Sequence, residues 1–276
     1  MDWLVYIFYG FISGLGELLP VSAGAHDYFL ELMTRFDVRQ PLLQLCVHVA
    51  AMLAICVVCR HRIAHIYREL QLASQSASSR KRQPDMVAVL DGRVVLTIIV
   101  PAMLGVLLTS AVRQRFDSLP AVVLMLTVNG IFIFVPHYMQ GANRDSRHLS
   151  RLEAIFFGIC AALSALPGIS RLGALLSAGS LRGCSRGYLL DIALLVLIPV
   201  LALMALLDLF ALFAAGFAVL SFLDFVYSLL AAAAAFGGAW LAIAAMRYLS
   251  VNMGYTTFSY YSWGLAAFGF ILYLMI

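Results

Sequence analysis

The chain has 276 residues, 63% of them hydrophobic and only 12% charged, with 18 Lys and Arg against 14 Asp and Glu. A soluble domain carries about 25% charged residues and is roughly half apolar, so this composition, with a mean hydropathy of +0.95, excludes a cytosolic enzyme, a disordered chain and a disulfide-stapled secreted module. It reads as an all-α polytopic integral membrane protein, and a net charge of +4 gathered in short basic loops calls for no nucleic-acid partner.

The opening residues, MDWLVYIFYGF, carry no basic n-region and no small-residue cleavage motif, so no removable signal peptide is expected. The apolar stretch 3–33 is interrupted by Gly10, Gly14, Gly16, Glu17, Pro20, Ser22, Gly24, His26 and Asp27. It reads as two half-helices joined by a polar turn at membrane depth. Such backbone survives only when it is buried in protein or lines a wet cavity, because lipid cannot satisfy its N–H and C=O groups. Gly10 and Gly14 form a small-xxx-small pattern, which suits helix packing better than ligand contact.

A first span is expected over 42–59, since about 20 apolar residues cross a bilayer. The longest polar segment follows, from Arg60 to Arg93, with a Ser-rich centre SQSASSRKRQP that reads as a mobile cytoplasmic loop. Spans over 94–112 and 120–139 then cross outward and back, which places the second basic cluster, Arg144, Arg147 and Arg151, on the same cytoplasmic side. A second interrupted stretch, 152–186, contains Pro167, Gly168, Ser170, Arg171 and Gly173. Further spans are expected at 188–207, at 216–246 (long, hence tilted or broken) and at 258–276. The five cysteines, including the Cys56–Cys59 pair, lie in or beside apolar runs and read as packing residues rather than redox or metal ligands.

The two interruptions resemble each other. Gly10 precedes Pro20 by ten positions and Gly158 precedes Pro167 by nine, and each proline is followed within three residues by a serine, Ser22 or Ser170. The single transmembrane domain, 1–276, therefore divides near residue 150 into halves 1–150 and 151–276. Paired interrupted segments of this kind point to two inverted-topology repeats around a central pocket, each with a re-entrant helix pair.

The interruptions also hold the chemistry. The first turn offers Glu17, Ser22, His26 and Asp27, and the second offers Ser170 and Arg171. A guanidinium stays protonated when desolvated and its fork matches phosphate oxygens. Half-helices starting after Pro20 and Pro167 would add N–H donors and a positive dipole end. A carboxylate and an imidazole nearby could move a proton or hold a divalent ion. Plainer readings stand beside these. Glu17 and Arg171 could be a structural ion pair, His26 a satisfied polar tip at the interface, and Ser22 and Ser170 simple N-caps.

The segments GELLPVSAGAH (16–26) and ALPGISRLGALLSAG (165–179) resemble the two signature segments of the undecaprenyl-pyrophosphate phosphatase family, the bacitracin-resistance type. QLCVHVAAMLA (44–54), VPAMLG (100–105) and SRGYLLDIALLVLIP (185–199) follow the order of that family as well. The resemblance implies removal of the terminal phosphate of a polyprenyl pyrophosphate, recycling the lipid carrier of cell-wall synthesis. It implies a bacterial inner-membrane location, a pocket opening to the outer side, and a divalent cation, Mg2+ or Ca2+. Glu17 would act as acid/base or hold the metal, and His26 would shuttle a proton or attack phosphorus. Arg171 would bind pyrophosphate beside Ser170, while Ser22, Gly168, Gly173 and His48 would line the substrate site. The oligomeric state is open between monomer and homodimer.

The departures from the family pattern are Ser13 in place of its first glutamate, Ala23 in place of a proposed nucleophilic serine, Ala161 in place of glutamine, and Leu172 and Ala193 in place of serines. The nucleophile is then left among His26, Ser22, Ser170 and an activated water. An alternative is a lapsed homologue that binds or translocates polyprenyl phosphates without hydrolysis. An ion-coupled transporter of a small anion is a weaker third reading, for which no separate cation site is visible.

Overall fold

Where a chain this apolar meets lipid, its backbone must bond to itself, and helices are the local way to do so. In a computed structural model, residues 2–34, 36–75, 82–112, 116–138, 143–216, 221–252 and 254–275 are described, and they form ten α-helices and no β-strand. These are α1 (Asp2–Leu18), α2 (Ala23–Thr34), α3 (Pro41–Ser74), α4 (Met86–Val112), α5 (Leu119–Phe134), α6 (Arg151–Leu163), α7 (Arg171–Leu181), α8 (Arg186–Ala215), α9 (Phe222–Asn252) and α10 (Thr257–Met275). Helices α3, α4, α8, α9 and α10 are each long and apolar enough to cross a membrane, whereas α1 and α5 are shorter apolar helices.

Both interrupted stretches fold as helix–turn–helix pairs, α1–α2 and α6–α7. Their breaks fall at Pro20 and Pro167, each followed by a residue with positive φ, Ser22 at 62° and Gly168 at 109°. Three expectations need correction. The segment 60–93 is mostly helix: α3 continues to Ser74 and α4 begins at Met86. No Gly or Pro lies between Arg60 and Ser74, and a polar helix can continue beyond the hydrocarbon. Only the centre, 76–81, lies outside the described residues. The span expected over 120–139 ends as an α-helix at Phe134 and closes with a 3-10 turn, Val135–Tyr138. The long segment expected at 216–246 starts later, at Phe222, and is one continuous helix, α9, so of the two alternatives, tilted or broken, it is not broken.

Helix α1 packs along α9 through its glycines. A Cβ on Gly10 or Gly14 would sit 2.1 Å from the carbonyl oxygen of Ala231 or Ala235, and one on Gly238 2.4 Å from that of Phe11. The bland reading of this small-residue stripe is therefore the right one. Gly10→Ala should destabilise the protein by about 1–3 kcal/mol through overpacking, visible as a lower thermal unfolding midpoint in detergent. Gly237→Ala, where nothing lies within 4 Å, should leave the midpoint in place.

Ion pairs and backbone bonds tie the helix ends together. Arg39, in the α2–α3 connection, pairs with Asp117 in the α4–α5 connection. Arg62 on α3 reaches Asp91 on α4 at 3.1 Å and Asp191 on α8 at 2.5 Å. Arg144, before α6, donates its N–H to Gly183 O at 3.1 Å and accepts from Ser185 N at 3.1 Å in the α7–α8 turn. Ser150 and Glu153 form a reciprocal capping box at the start of α6. In the α5–α6 connection the Arg147 guanidinium holds the Asp145 carboxyl down to about 2, so that connection stays ionised across physiological pH.

Candidate active site

The tips of the two helical pairs meet and satisfy each other's backbone. Ser22 Oγ accepts from Gly168 N at 3.1 Å and from Ala25 N at 3.4 Å. Ser170 Oγ donates to Leu19 O and accepts from Gly173 N, each at 3.1 Å. Both serines are thus N-caps, and each also clamps the opposite tip. Asn129 on α5 completes the joint: its Oδ1 accepts from Ser170 N at 2.8 Å, and its Nδ2 donates to Pro20 O at 3.4 Å and Ser262 Oγ at 3.0 Å. A buried polar group left unpaired costs about 1–3 kcal/mol, so this network pins a turn that lipid alone could not accommodate.

The N-termini of α2 and α7 converge on a cavity of about 330 Å³, whose lining includes Glu17, Asp27, Arg39, His48, Arg171 and Asp208. That space suits a small charged headgroup and is far too small for a long hydrocarbon tail. Arg171, the first residue of α7, donates from Nη2 to Glu17 Oε1 and lies 2.8 Å from Met204 Sδ through Nη1. His48 on α3 donates Nδ1–H to Asp208 Oδ2 at 2.6 Å, because the carboxylate can only accept. Its Nε2 then faces Glu17 Oε1 at 3.8 Å. Four helices in this way supply one chain of groups, Arg171, Glu17, His48 and Asp208. The second oxygen of Glu17, Oε2, is buried and has no hydrogen-bond partner among the described residues.

Of the residues singled out from the sequence, Glu17, Ser22, His48 and Arg171 are brought together around the cavity. Gly168, Ser170 and Gly173 form the turn behind it: a Cβ on Gly168 would meet Met125 Cβ at 2.5 Å, and one on Gly173 the Cβ atoms of Ser170 and Pro20 at 3.1 and 3.2 Å. His26 is placed elsewhere. Its Nδ1–H donates to Ser22 O at 2.7 Å, leaving Nε2 to accept from the Tyr261 hydroxyl at 2.5 Å, and the two rings stack 5.8 Å apart. Both nitrogens are occupied, and His26 is not among the cavity-lining residues. Ala23 does line the cavity, whereas Leu172, Ala161, Ala193 and Ser13 are buried in the packing around it.

Sequence reasoning gave Asp208 no role and passed over Arg39, Gln44 and Asn129. Asn129 left one signal, a lone amide in the apolar run of α5. Asp191 and Asp224 serve structure: one pairs with Arg62, and the other caps α9 by accepting from Ser221 N at 2.9 Å.

A cation fits the charge balance of the cavity. Three carboxylates face two guanidiniums there, so a polyanionic ligand needs additional positive charge, and the orphaned Glu17 Oε2 is an available ligand atom. Among the described residues no group of three His, Cys, Asp or Glu side chains is arranged as a ready-made metal site. Oxygens of the ligand itself would have to complete the shell.

Comparison with known proteins gives a consistent result. The protein-family model described as bacitracin resistance protein BacA matches residues 6–268. The undecaprenyl-diphosphatase of Halothermothrix orenii (strain H 168 / OCM 544 / DSM 9562) is 23% identical over 263 residues, covering 95% of this chain and 95% of that protein. Undecaprenyl-diphosphatase 1 of Shouchella clausii (strain KSM-K16) is 24% identical over 204 residues, covering 73% of this chain and 72% of that protein. The undecaprenyl-diphosphatase of Nocardioides sp. (strain ATCC BAA-499 / JS614) is 29% identical over 203 residues, covering 72% of each.

Proposed function

The chain belongs to the bacitracin resistance protein BacA family, and on that premise we propose that it is an undecaprenyl-diphosphatase, a multi-pass membrane phosphatase that removes the terminal phosphate of undecaprenyl pyrophosphate. The observation that carries this reading is the cavity itself, where the Arg171 fork, two converging helix N-termini and an imidazole held by a carboxylate surround room for one headgroup. The lipid tail lies outside it, between helices.

In the proposed reaction Arg171 gives up part of its pairing with Glu17 to bind the terminal phosphoryl oxygens, where negative charge builds in the transition state. A water attacks phosphorus in line with the bridging oxygen, His48 Nε2 takes the water proton, and the P–O bond to the lipid monophosphate breaks. Asp208 holds the tautomer of His48 that leaves Nε2 free to accept. With Ala23 in place of a serine, and Ser22 Oγ engaged by two backbone N–H groups, water is the nucleophile this cavity favours. His26 acts on the turn, by holding the Ser22 carbonyl, and not on the substrate. Glu17 Oε2, with Asp27, would hold a Mg2+ or Ca2+ ion, which when bound neutralises phosphate oxygens.

The two helical pairs are re-entrant, entering from opposite faces of the bacterial inner membrane, and the halves 1–150 and 151–276 form an inverted repeat. Support comes from the tied ends. The α2–α3 and α4–α5 connections meet through Arg39 and Asp117, while the α5–α6 connection bonds to the α7–α8 turn. Helix α5 crosses between these two groups. The face carrying Arg144, Arg147 and Arg151 is cytoplasmic by the positive-inside rule, so the cavity, reached past Arg39, opens outward.

The test is direct. Purified protein incubated with undecaprenyl pyrophosphate and Mg2+ or Ca2+ should release inorganic phosphate, and chelation should suppress the release. Binding of the lipid without release at any cation concentration would replace this reading with that of a lipid-phosphate binder or translocator.

A further inference from the structure

The cavity has a second guanidinium that the proposed reaction leaves unused. Arg39 comes from the α2–α3 connection and lines the same space as Arg171. Its side chain is 35% exposed, against 15% for Arg171, which puts Arg39 at the mouth and Arg171 at the floor. The Arg39 fork is held by outside partners. Both Nη atoms donate to Asp117, the Nη2 bond being 2.8 Å long, and Nε lies 2.9 Å from Glu31 Oε2. The pair is bidentate and part-buried, its side chains 35% and 21% exposed, so the fork is held in a fixed orientation over the cavity. A phosphoryl group offers the same two-oxygen face to the fork as a carboxylate does, so a ligand that displaces Asp117 replaces both bonds it breaks.

A diphosphate headgroup carries two phosphoryl groups and the product monophosphate only one. Resting on the phosphatase reading above, we infer that Arg39 is a specificity-determining residue. It binds the lipid-proximal phosphoryl group at the mouth while Arg171 holds the terminal one at the floor. Substrate is gripped at both ends, whereas a monophosphate reaches only one guanidinium at a time, Arg171 or Arg39, so the product binds more weakly and departs. Asp117 and Glu31 hold Arg39 over the mouth between turnovers.

The test compares two probes on the full chain in detergent, a farnesyl methylene-diphosphonate that cannot be hydrolysed and farnesyl monophosphate, by calorimetric titration. Wild type should prefer the diphosphonate by about tenfold, the size of one exposed charge-assisted contact. Arg39→Gln should bring the two affinities together, Arg39→Lys should fall between, and Asp117→Asn, which frees the fork, should keep the preference or raise it. An undiminished preference in Arg39→Gln overturns the assignment. So does a loss in Asp117→Asn as large as in Arg39→Gln, since Arg39 would then be a strut between connections. Absence of any preference in wild type overturns it as well. Phosphate release from undecaprenyl pyrophosphate is scored separately. A preference that depends on Arg39 in a protein that releases no phosphate would sink the phosphatase reading and leave Arg39 as a diphosphate-binding residue.

Discussion

Arg171→Lys should lower kcat for phosphate release by at least about a hundredfold, the usual cost of removing a donor aimed at developing charge. Lysine retains the positive charge beside Glu17, so folding is preserved, but it offers a point charge where the phosphoryl group needs a planar fork. The alanine variant gives a less clean result. Removing one partner of a buried pair leaves the other charge uncompensated and costs about 3–5 kcal/mol, so lost activity in Arg171→Ala mixes chemistry with unfolding. Removing both charges at once, as Arg171→Met with Glu17→Gln, avoids that penalty and should give a folded, inactive protein. Elution at the wild-type volume and an unchanged unfolding midpoint establish the fold. Wild-type turnover in Arg171→Lys would sink the assignment of the fork to the transition state.

The two histidines should separate in the opposite sense from the one the sequence suggests. His48→Ala should reduce kcat by about 10²–10⁴, the range for loss of a proton-transfer group, with KM little changed. Asp208→Asn should give a smaller loss, because Asn at that position no longer accepts unambiguously from Nδ1–H and releases the tautomer. His26→Ala removes a ring bonded to the Ser22 carbonyl and to Tyr261. It should lower the unfolding midpoint while keeping kcat within about tenfold of wild type, a loss smaller than proton-transfer groups give. A full loss in His26→Ala with normal turnover in His48→Ala would reverse the assignment and put the ring of α2 in the reaction.

The reason for this reversal lies in helix geometry. Adjacent residues on an α-helix point about 100° apart. Ala23, Gly24 and Asp27 share the face of α2 that lines the cavity, which turns His26 toward α10. The spacing in SAGAHD tells that His26 and Asp27 differ in direction, but not which of them faces inward; packing against Tyr261 decides it. Glu17, Ser22 and Arg171 were legible because each lies in an apolar run broken by Pro and Gly, where an unsolvated polar side chain needs a reason to exist. Asp208 and Asn129 were not, since each stands alone in an apolar run and gains its partner from more than forty positions away, as Asn129 does from Ser170, and Arg39 is one charge among several in a polar connection. The polar reach after Arg60 reads as loop because charge marks the edge of lipid, yet no Gly or Pro between Arg60 and Ser74 stops α3.

The reciprocal clamp between Ser22 and Gly168 spans 146 positions in the chain, and that distance has a consequence in time. At a synthesis rate of about 5–20 residues per second, the first tip waits roughly 7–30 s for the residues that bond it. During that interval the Leu19 carbonyl and the Ser22 hydroxyl have no tip to meet, and hydrocarbon offers them nothing. The nascent first half must therefore keep its broken turn near water or beside the insertion machinery until α7 emerges. The site is born only when the second half arrives, so a chain stalled before Gly168 holds Glu17, His48 and Arg39 but lacks Arg171 and the grip on the terminal phosphate. An unfinished copy of this protein cannot act on the lipid pool it shares with finished ones.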